Sequence, residues 1–452
     1  MGPPPAWIAY AGVVGLALAI GVVAGASPAI AVGLAGAAVF ALVAFANLAA
    51  GVCIFAVLIF VDVARVGGSE DLSMSKAAAI VLTVSWLARK TVRSEDDRDL
   101  LAAHPLLVLL LAALACWAGA SAIWAESGPA AARATLRLVP NLMLFPIVYA
   151  AIRERSHLHR LFGAFVVGAL ASALYGTFAT TGGASVSQAA EGRLTGATAD
   201  ANELAALLVV AIVLALAVGV TRRRHSTSGV LAVCAVPVAL VALLATLSRA
   251  GVVALVVTLL ASTVVAGRRR RRVVTMAVVG TLVVAVTYFS VASPTAWDRV
   301  TSSSSSGRDD IWKVAWRAAQ DNPVLGVGAD NYRVVAPRYL VQPGVIEVDQ
   351  YILDDPQVAH NIYLEVLTDM GIVGLVLFLG VVAVSVGCAV RAATRFRLKG
   401  DSEMEIMAKA LGVGLVGLLT AFFFTSEQYS KQLWLLLSLG PAVLAMSRRS
   451  SQ

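Results

Sequence analysis

Four basic residues at the edges of apolar segments could do chemistry in this chain: Arg193, Arg249, Arg308 and His360. Charged groups beside such segments are costly and usually have a function. An arginine fork matches the oxygens of a phosphate and stays charged at any physiological pH. A histidine can accept a proton from a hydroxyl near neutral pH. Two or three such arginines could therefore bind a diphosphate and stabilise it as a leaving group, while the histidine activates an incoming hydroxyl.

Each of these residues taken singly also has a plainer interpretation. An arginine at the end of an apolar segment often extends its charge to the nearest water, and a histidine there can be satisfied by its surroundings. Trp312 can anchor a helix at an interface or stack on a sugar. Glu365 can orient a neighbour, cap the site or merely keep a helix solvated. The prediction of a site therefore depends on the convergence of these residues in space.

The elements that must position these residues are membrane-spanning helices. Of the 452 residues, 59% are hydrophobic and 14% are charged, whereas a soluble domain has about 25% charged residues. Continuous apolar runs of about 20 residues, the length that crosses a bilayer, recur along the chain. The sequence predicts an all-α, polytopic integral membrane protein with about 12–14 transmembrane helices and one large extracytoplasmic loop containing short helices.

The net positive charge of the chain does not indicate a nucleic acid partner. The net charge is +8, but the basic residues cluster in short tracts between apolar runs, where they act as topology signals. The cysteines lie inside apolar runs without the spacing of metal ligands, and we interpret them as small buried hydrophobic residues. We therefore predict no nucleic acid partner, no metal site and no cofactor.

Short basic tracts orient the chain, because such tracts remain on the cytoplasmic side. They lie at residues 89–93, 153–160, 222–224 and 268–272. About 40 apolar residues separate the last two tracts, which is enough for two spans. The predicted hairpin therefore turns at the outer face, around Leu247-Ser248-Arg249. One further span after Arg272 makes the polar segment that follows it extracytoplasmic.

The same reasoning divides the chain into four regions. They are N-terminal transmembrane helices at 1–190, central transmembrane helices with arginine-bearing outer turns at 191–292, an extracytoplasmic loop at 293–360, and C-terminal transmembrane helices at 361–452. A loop of this length is expected to contain helices. The stretch from Asp309 to Gln320 predicts an amphipathic helix, with an apolar side formed by Ile311, Trp312, Val314, Ala315 and Trp316.

Residues from about 190 to 440 resemble the O-antigen ligase and O-antigen polymerase superfamily in their order and spacing. The pattern comprises Arg193 with Gly196 and Asn202, Ser248-Arg249, Gly307-Arg308 with Trp312, Asn322-Pro323 with Gly326 and Gly328, and the block from His360-Asn361 through Leu364-Glu365 to Gly371 and Gly374. The last block is the most specific component, whereas the Ser-Arg pair alone would carry no weight.

The resemblance implies a metal-independent, inverting glycosyltransferase of the cytoplasmic (inner or plasma) membrane, with its active site facing the extracytoplasmic side. Its partners would be an undecaprenyl-diphosphate-linked glycan donor, a glycan or glycolipid acceptor, and membrane lipid. Arg249 and Arg308 would hold the diphosphate with help from Arg193, and His360 would be the catalytic base. Further substrate-binding candidates are Asn202, Ser248, Trp312, Asn361 and Glu365.

Two questions stay open at the level of the sequence. A ligase would attach a finished glycan to a different acceptor, whereas a polymerase would transfer a growing chain onto the next lipid-linked repeat unit. A polysaccharide or lipid-linked glycan transporter or flippase is the alternative from another class. It would place charged or broken-helix sites near the bilayer midplane, whereas the informative charges here lie at the outer edge. The sequence therefore favours the enzyme.

Overall fold

The computed structural model describes residues 24–25, 27–60, 73–92, 99–179, 193–198, 200–222, 226–267, 271, 275, 308–342 and 358–449. Regular structure in these ranges is helical, without a β-strand. Labelled in chain order, the helices are α1 (Pro28–Ala46), α2 (Leu48–Leu58), α3 (Met74–Val92), α4 (Pro105–Ala120), α5 (Gly128–Ala151), α6 (Arg155–Ala179), α7 (Ala201–Thr221), α8 (Thr227–Ala245), α9 (Arg249–Val265), α10 (Arg308–Asp321), α11 (Tyr332–Leu340), α12 (Ile362–Leu398), α13 (Ser402–Ala421) and α14 (Lys431–Arg449). Shorter helical turns lie at Leu100–Ala103, Ser121–Ile123, Gly196–Thr198 and Phe422–Phe424.

The described helices include seven that are long and apolar enough to cross a membrane. They are α4, α5, α6, α7, α8, α12 and α13, and shorter apolar stretches lie in α1, α2 and α9. The prediction of an all-α polytopic membrane protein is therefore confirmed. The apolar runs before residue 26 and directly after Arg272 lie largely outside the described residues, so the count of about 12–14 spans stays a prediction.

Polar caps determine where many of these helices begin. The first N–H groups of a helix have no partner within it, and a short polar side chain just before the helix can accept from them. The residues that do so are Asn47, Ser127, Asp200, Ser226, Ser248, Asn361 and Asp401. Because these caps stand directly before apolar runs, polar side chains are concentrated at the ends of the bundle.

The core of the bundle forms around α7, which packs against α6, α8, α9 and α13. Every side chain from Leu204 to Ala211 in this helix is fully buried. A second contact joins α12 to α14, where the Trp434 ring meets the rings of Phe145 and Phe378. A helix that is apolar on all sides belongs in the middle of such a bundle. The central position of α7 fixes the place of the polar residues at its first turn.

Polar contacts between helices distinguish the two ends of the bundle. At one end Arg155 pairs with Asp401 at 2.7 Å, and His159 Nε2 lies 3.0 Å from Thr221 Oγ1. These contacts join the starts of α6 and α13 to the end of α7. We call this the basic end, because the basic residues at 153–160, 222 and 391–399 lie at the helix termini there. The opposite end, which we call the loop end, carries residues 193–198, 200, 246–249, 308–342, 358–361 and 425–430.

Helices α10 and α11 form a small second core at the loop end. Its buried members are Val314, Ala315, Ala318, Val327, Tyr332, Val335, Ala336, Tyr339, Leu340 and Ala359. The helix predicted at 309–320 is thus present as α10, but its predicted apolar side is wrong at Trp316, which is 53% exposed. Side chains three or four positions apart share a helix face. The face of Val314 therefore continues to Ala318 and leaves Trp316 outside.

A break in α12 allows the loop core to attach to this helix. Gly371 has φ 65 and ψ −171, a conformation that residues with a side chain rarely adopt. The break frees backbone groups, and Ile372 N donates to Pro323 O at 2.9 Å. A Cβ atom on Gly371 would lie 2.1 Å from Val324 O. The two backbones can approach this closely only because position 371 is a glycine.

The buried carboxylate of Asp369 adds a second attachment. Its Oδ1 accepts from Tyr332 N at 2.9 Å, and its Oδ2 accepts from Asp330 N at 3.0 Å. The residue is 2% exposed, so these oxygens depend on the protein for their hydrogen bonds. The start of α11 is therefore held against α12, the helix that begins directly after His360 and Asn361.

Candidate functional site

The α8–α9 hairpin predicted from the sequence brings Ser248 and Arg249 to the loop end. Ser248 Oγ accepts from Gly251 N at 3.1 Å and so caps α9. The same hydroxyl donates to Asn202 Oδ1 at 2.8 Å, at the start of α7. Arg249 is the first residue of α9 and is half-buried. The cap and the contact with α7 together fix the turn that carries this arginine.

Arg193 joins the same network from the segment before α7. Its Nη2 donates to Asn202 Oδ1 at 3.2 Å, and its Nε donates to Thr246 O at 3.1 Å. The amide oxygen of Asn202 therefore accepts from Arg193 and from Ser248 at once. The structure thus brings together three of the residues predicted to bind substrate, although the amide oxygen of Asn202 is already occupied by protein donors.

Arg308 is the first residue of α10, and the charges of the other two predicted arginines act on the pKa of its guanidinium. Burial lowers the pKa of its guanidinium, the charge of Asp200 raises it, and the charges of Arg193 and Arg249 lower it. Among the residues that the structure describes, none makes a hydrogen bond or ion pair with the Arg308 side chain. Like charges in a partly buried place repel one another. The three predicted arginines therefore form one cluster, which an anion would stabilise.

His360 lies beside this arginine cluster, immediately before the cap of α12. Its backbone has φ 47, a left-handed conformation that costs on the order of 1–3 kcal/mol for a residue other than glycine. Burial lowers the pKa of the imidazole, the charge of Arg308 lowers it further, and Asp200 and Arg333 act in opposite senses, with Asp200 raising it. The lowered pKa keeps the ring neutral near neutral pH, so that it can accept a proton.

Glu365 supports the backbone next to His360. It is 1% exposed, its Oε2 accepts from Ala359 N at 3.1 Å, and its Oε1 accepts from Gln428 Nε2 at 2.8 Å. The interpretation of Glu365 as a residue that merely solvates a helix is therefore wrong, because the side chain is buried and bonded on both oxygens. Its geometry fits the alternative that it orients a neighbour, and direct contact with substrate stays a prediction.

Trp312 and Asn361 are engaged by the protein in different ways. The Trp312 ring packs edge-on against Phe423, with centroids 5.5 Å apart, and lies 6.4 Å from the Phe424 ring. It thus attaches α10 to the end of α13, while its buried Nε1 has no hydrogen-bond partner among the described residues. Asn361 Oδ1 caps α12 by accepting from Tyr363 N at 3.0 Å. Within these two side chains, the indole N–H of Trp312 and the amide nitrogen of Asn361 are the polar groups left for substrate contacts.

Asp200 is a member of the site that sequence reasoning did not select. Its Oδ1 accepts from Asn202 N at 2.6 Å and from Glu203 N at 3.4 Å, so it caps α7. Its charge raises the pKa values of both Arg308 and His360, which places it close to both. A carboxylate directly before a long apolar run is visible in the sequence, and that was the available signal.

Arg333 and Glu427 are two further members that sequence reasoning missed. The charge of Arg333, in the first turn of α11, lowers the pKa of His360. Glu427 lies between α13 and α14, where burial and the charges of Asp200 and nearby glutamates raise its pKa and Arg333 lowers it. The polar stretch between the last two spans could have indicated Glu427. Arg333 lies in a segment with several other arginines, and nothing in the sequence distinguishes it.

Comparison with known proteins adds a match to part of the chain. A protein-family profile described as O-antigen ligase matches residues 234–379. The matched region runs from within α8 into α12, so it includes Arg249, Arg308 and His360 and stops short of Arg193 and Asn202. No curated protein shows significant similarity to the sequence.

Proposed function

Because this chain belongs to the O-antigen ligase superfamily, we propose that it is a membrane glycosyltransferase that moves a glycan from undecaprenyl diphosphate to an acceptor hydroxyl. The acceptor is a glycan or glycolipid at the outer face of the cytoplasmic membrane. The observation that carries the proposal is the gathering of three arginines beside a histidine at one end of a helical bundle. This combination suits the departure of a diphosphate and the arrival of a hydroxyl.

The arginine cluster forms the part of the proposed site that binds the donor, which we call the donor half. Arg249 and Arg308 bind the diphosphate oxygens through charge-assisted hydrogen bonds, with Arg193 beside them. The side of the α8–α9 hairpin that faces away from the bundle carries exposed apolar side chains, among them Val241, Val252 and Val256. A polyprenyl chain can lie along this surface within the bilayer, so that its headgroup reaches the arginines at the loop end.

His360 supplies the base. One imidazole nitrogen takes the proton of the acceptor hydroxyl as the oxygen attacks the anomeric carbon of the donor sugar. The bond from that carbon to the diphosphate oxygen breaks, and undecaprenyl diphosphate leaves with the electron pair. The arginines stabilise the negative charge that develops on the leaving group. A single displacement of this kind inverts the configuration at the anomeric carbon.

The arginines also make the proposed reaction independent of a metal ion. In phosphate chemistry a divalent cation neutralises the charge on the leaving diphosphate. Three guanidinium groups, on α9, on α10 and in the segment before α7, supply this charge as part of the protein. Asp200 at the edge of the cluster limits the repulsion among them, since its charge raises the pKa of Arg308.

The proposed orientation follows from charge. Basic tracts remain in the cytoplasm, and the basic end of the bundle carries residues 153–160, 222 and 391–399. With that end in the cytoplasm, the loop end and its arginine cluster face the extracytoplasmic side. The lipid-linked donor would then be used after it has crossed the membrane.

The test is a transfer assay on the purified full-length chain. It is given lipid-linked repeat units extracted from membranes, and the products are separated by size. We expect transfer by the wild type, and loss of at least about 100-fold in His360→Ala and Arg308→Gln, because each removes a group acting in the transition state. Arg338→Gln is a matched control, since Arg338 is an exposed arginine of the loop end paired with Glu126 at 2.6 Å.

The product pattern also separates the open possibilities. A ladder from repeat units alone indicates a polymerase, and transfer that requires an added second acceptor indicates a ligase. If Arg249→Ala and His360→Ala abolish products in cells while the donor still reaches the outer face, transport does not explain the protein. Unchanged transfer in both variants of a folded protein would refute the proposed site.

A further inference from the structure

His360 is adjacent to a second group of polar residues that the donor half does not use. The charges of Arg193 and Arg249 act on the pKa of Arg308, whereas the charge of Arg333 acts on the pKa values of His360 and Glu427. The imidazole is thus influenced by Arg308 on α10 and by Arg333 on α11. Because a base must serve a donor and an acceptor together, this second group needs an explanation.

A chain of hydrogen bonds fixes the position of Glu427 relative to His360. Gln428, the next residue after Glu427, donates to Glu365 at 2.8 Å. Glu365 in turn accepts from Ala359 N, the residue before His360, at 3.1 Å. Glu427 and His360 therefore each stand one residue from the two ends of a single buried bridge.

The turn that carries Glu427 is held from other directions as well. Trp434 Nε1 donates to Gln428 O at 2.8 Å, and Asn141 Nδ2 donates to Tyr429 O at 2.9 Å. The Glu427 carboxylate is half-buried and makes no hydrogen bond or ion pair with the part of the chain that the structure describes. The hydrogen-bonded turn thus presents the carboxyl group of Glu427 without a partner among the described residues.

Arg333 is positioned through Asp330. Its Nε lies 3.4 Å from Asp330 Oδ1, and the backbone of Asp330 is bound by Asp369 of α12. The terminal nitrogens of Arg333 have no hydrogen-bond partner within the described ranges, and its side chain is 43% exposed. A guanidinium anchored by one nitrogen can offer the other two to a ligand.

Buried polar atoms beside Glu427 also lack partners. Gln428 is 4% exposed and its Oε1 is unbonded, and Thr425 is 1% exposed with its Oγ1 unbonded, among the described residues. Buried polar atoms are normally hydrogen-bonded, so unpaired ones call for a missing partner. The turn from Thr425 to Gln428 therefore has hydrogen-bonding capacity that the protein does not fill.

We propose that Arg333 and Glu427 form the acceptor subsite, which binds uncharged sugar hydroxyls next to His360. The proposal rests on the function proposed above and names the chemistry of its acceptor. A hydroxyl can accept from a guanidinium and donate to a carboxyl group, so one sugar satisfies both residues. A hydroxyl suits Glu427 in either protonation state, because it can donate to the carboxylate or accept from the protonated carboxyl group.

The experiment compares two fates of the donor in the same preparation. Lipid-linked glycan is extracted from membranes of a strain that lacks the protein, and the purified full-length chain either transfers the glycan to an acceptor or hydrolyses the donor with water. Hydrolysis needs only the donor half and the base. Binding of undecaprenyl diphosphate itself is measured as a third readout that is confined to the donor half.

For Arg333→Gln and Glu427→Ala we expect the ratio of transfer to hydrolysis to fall by about tenfold or more, because each loses a hydrogen bond to the acceptor. Affinity for undecaprenyl diphosphate should stay within about twofold of the wild type in both variants. Arg338→Gln, on the same helix as Arg333, should leave the ratio unchanged. Arg308→Gln should reduce transfer and hydrolysis together and weaken binding of undecaprenyl diphosphate.

Several results would overturn the acceptor subsite. In one, Arg333→Gln weakens binding of undecaprenyl diphosphate as strongly as Arg308→Gln, which would assign Arg333 to the donor half. In another, transfer and hydrolysis fall in parallel in both variants, as a structural defect would cause. An unchanged ratio would also refute it, with the proposed function intact because Arg308→Gln still impairs the reaction. A wild type that neither transfers nor hydrolyses the donor contradicts the proposed function itself.

Discussion

His360 holds a left-handed backbone conformation, with φ 47, at the position where the proposed base is needed. Such a conformation persists only when neighbouring contacts enforce it. Glu365 binds the N–H group of Ala359 before it, and Asn361 after it caps α12. The strain and its support lie within seven residues of sequence, from 359 to 365, which overlap the most specific block of the resemblance.

The pH dependence of transfer should report the pKa of His360. Because that pKa is lowered, activity should persist below pH 6.5, the ordinary value for histidine, and be lost only as the ring becomes protonated at lower pH. Arg308→Gln removes a charge that lowers the pKa of His360, so the acidic limb of the pH profile should move to higher pH. Asp200→Asn removes a charge that raises it, so the limb should move to lower pH. The measurement is kcat/KM for transfer against pH.

Asparagine can still cap α7 in place of Asp200, so the second variant keeps its helix start. Acidic limbs that coincide in the wild type and both variants would show that another group controls the reaction.

Ser248 and Ser226 form a matched pair for testing the polar network. Both cap a helix through Oγ, Ser248 on α9 and Ser226 on α8 at the basic end. Replacing either with alanine should cost about 1 kcal/mol of stability through the lost cap. Only Ser248→Ala also removes the bond to Asn202, and it should weaken binding of undecaprenyl diphosphate. The measurements are thermal unfolding and binding in detergent, and equal binding defects in both variants would contradict the network.

The sequence could predict the basic residues of the site but not their surroundings. Arg249 was found because about 40 apolar residues must turn back at the outer face. The chemistry of guanidinium and imidazole then assigned roles. Arg333 could not be found, because its importance comes from the tertiary contact of Asp330 with Asp369 on α12. Glu365 was identified, although only the structure distinguishes a buried bridge from a solvated carboxylate.

At the level of elements, the break in α12 explains how the polar loop that contains α10 and α11 is attached to a membrane helix. Gly371→Ala should destabilise the protein by about 1–3 kcal/mol through backbone strain alone. The added Cβ atom would also lie 2.1 Å from Val324 O. Lower thermal stability and greater proteolysis of the loop are the expected readouts. Gly387→Ala on the same helix is the control, because a Cβ atom there meets nothing within 4 Å.

The two variants could instead prove equally stable, with the loop equally resistant to protease. That result would show that the loop is not attached through the break at Gly371.

Helix positions were predictable where an apolar run is long and bounded by polar residues. The apolar run at about 202–220 forms α7, Ala201–Thr221, because Asp200 and the arginines after the run mark its two ends. The apolar side of α10 is harder to predict, because its two tryptophans have different surroundings. Trp312 packs against Phe423, whereas Trp316 points away from the second core. Hydrophobicity alone does not distinguish a residue that packs on the bundle from one that does not.

The whole molecule separates a basic end from a loop end, and its orientation can be tested with single cysteines. Arg338→Cys lies at the loop end and Arg397→Cys at the basic end, and both positions are exposed. In a background without the native cysteines, a membrane-impermeant maleimide should label position 338 in intact cells. Position 397 should react only after the membrane is opened, because basic tracts remain inside. The reverse pattern would place the arginine cluster in the cytoplasm.

On the scale of the whole site, the arginine cluster is proposed to hold the diphosphate of a lipid-linked donor beside His360. An experimental structure of His360→Ala with the lipid-linked glycan bound tests this, since the variant should bind the donor without consuming it. We expect density for the diphosphate within hydrogen-bond distance of Arg249 and Arg308, with the first sugar turned toward position 360. Density for the diphosphate at the basic end, or at the loop end without contact to these arginines, would contradict it.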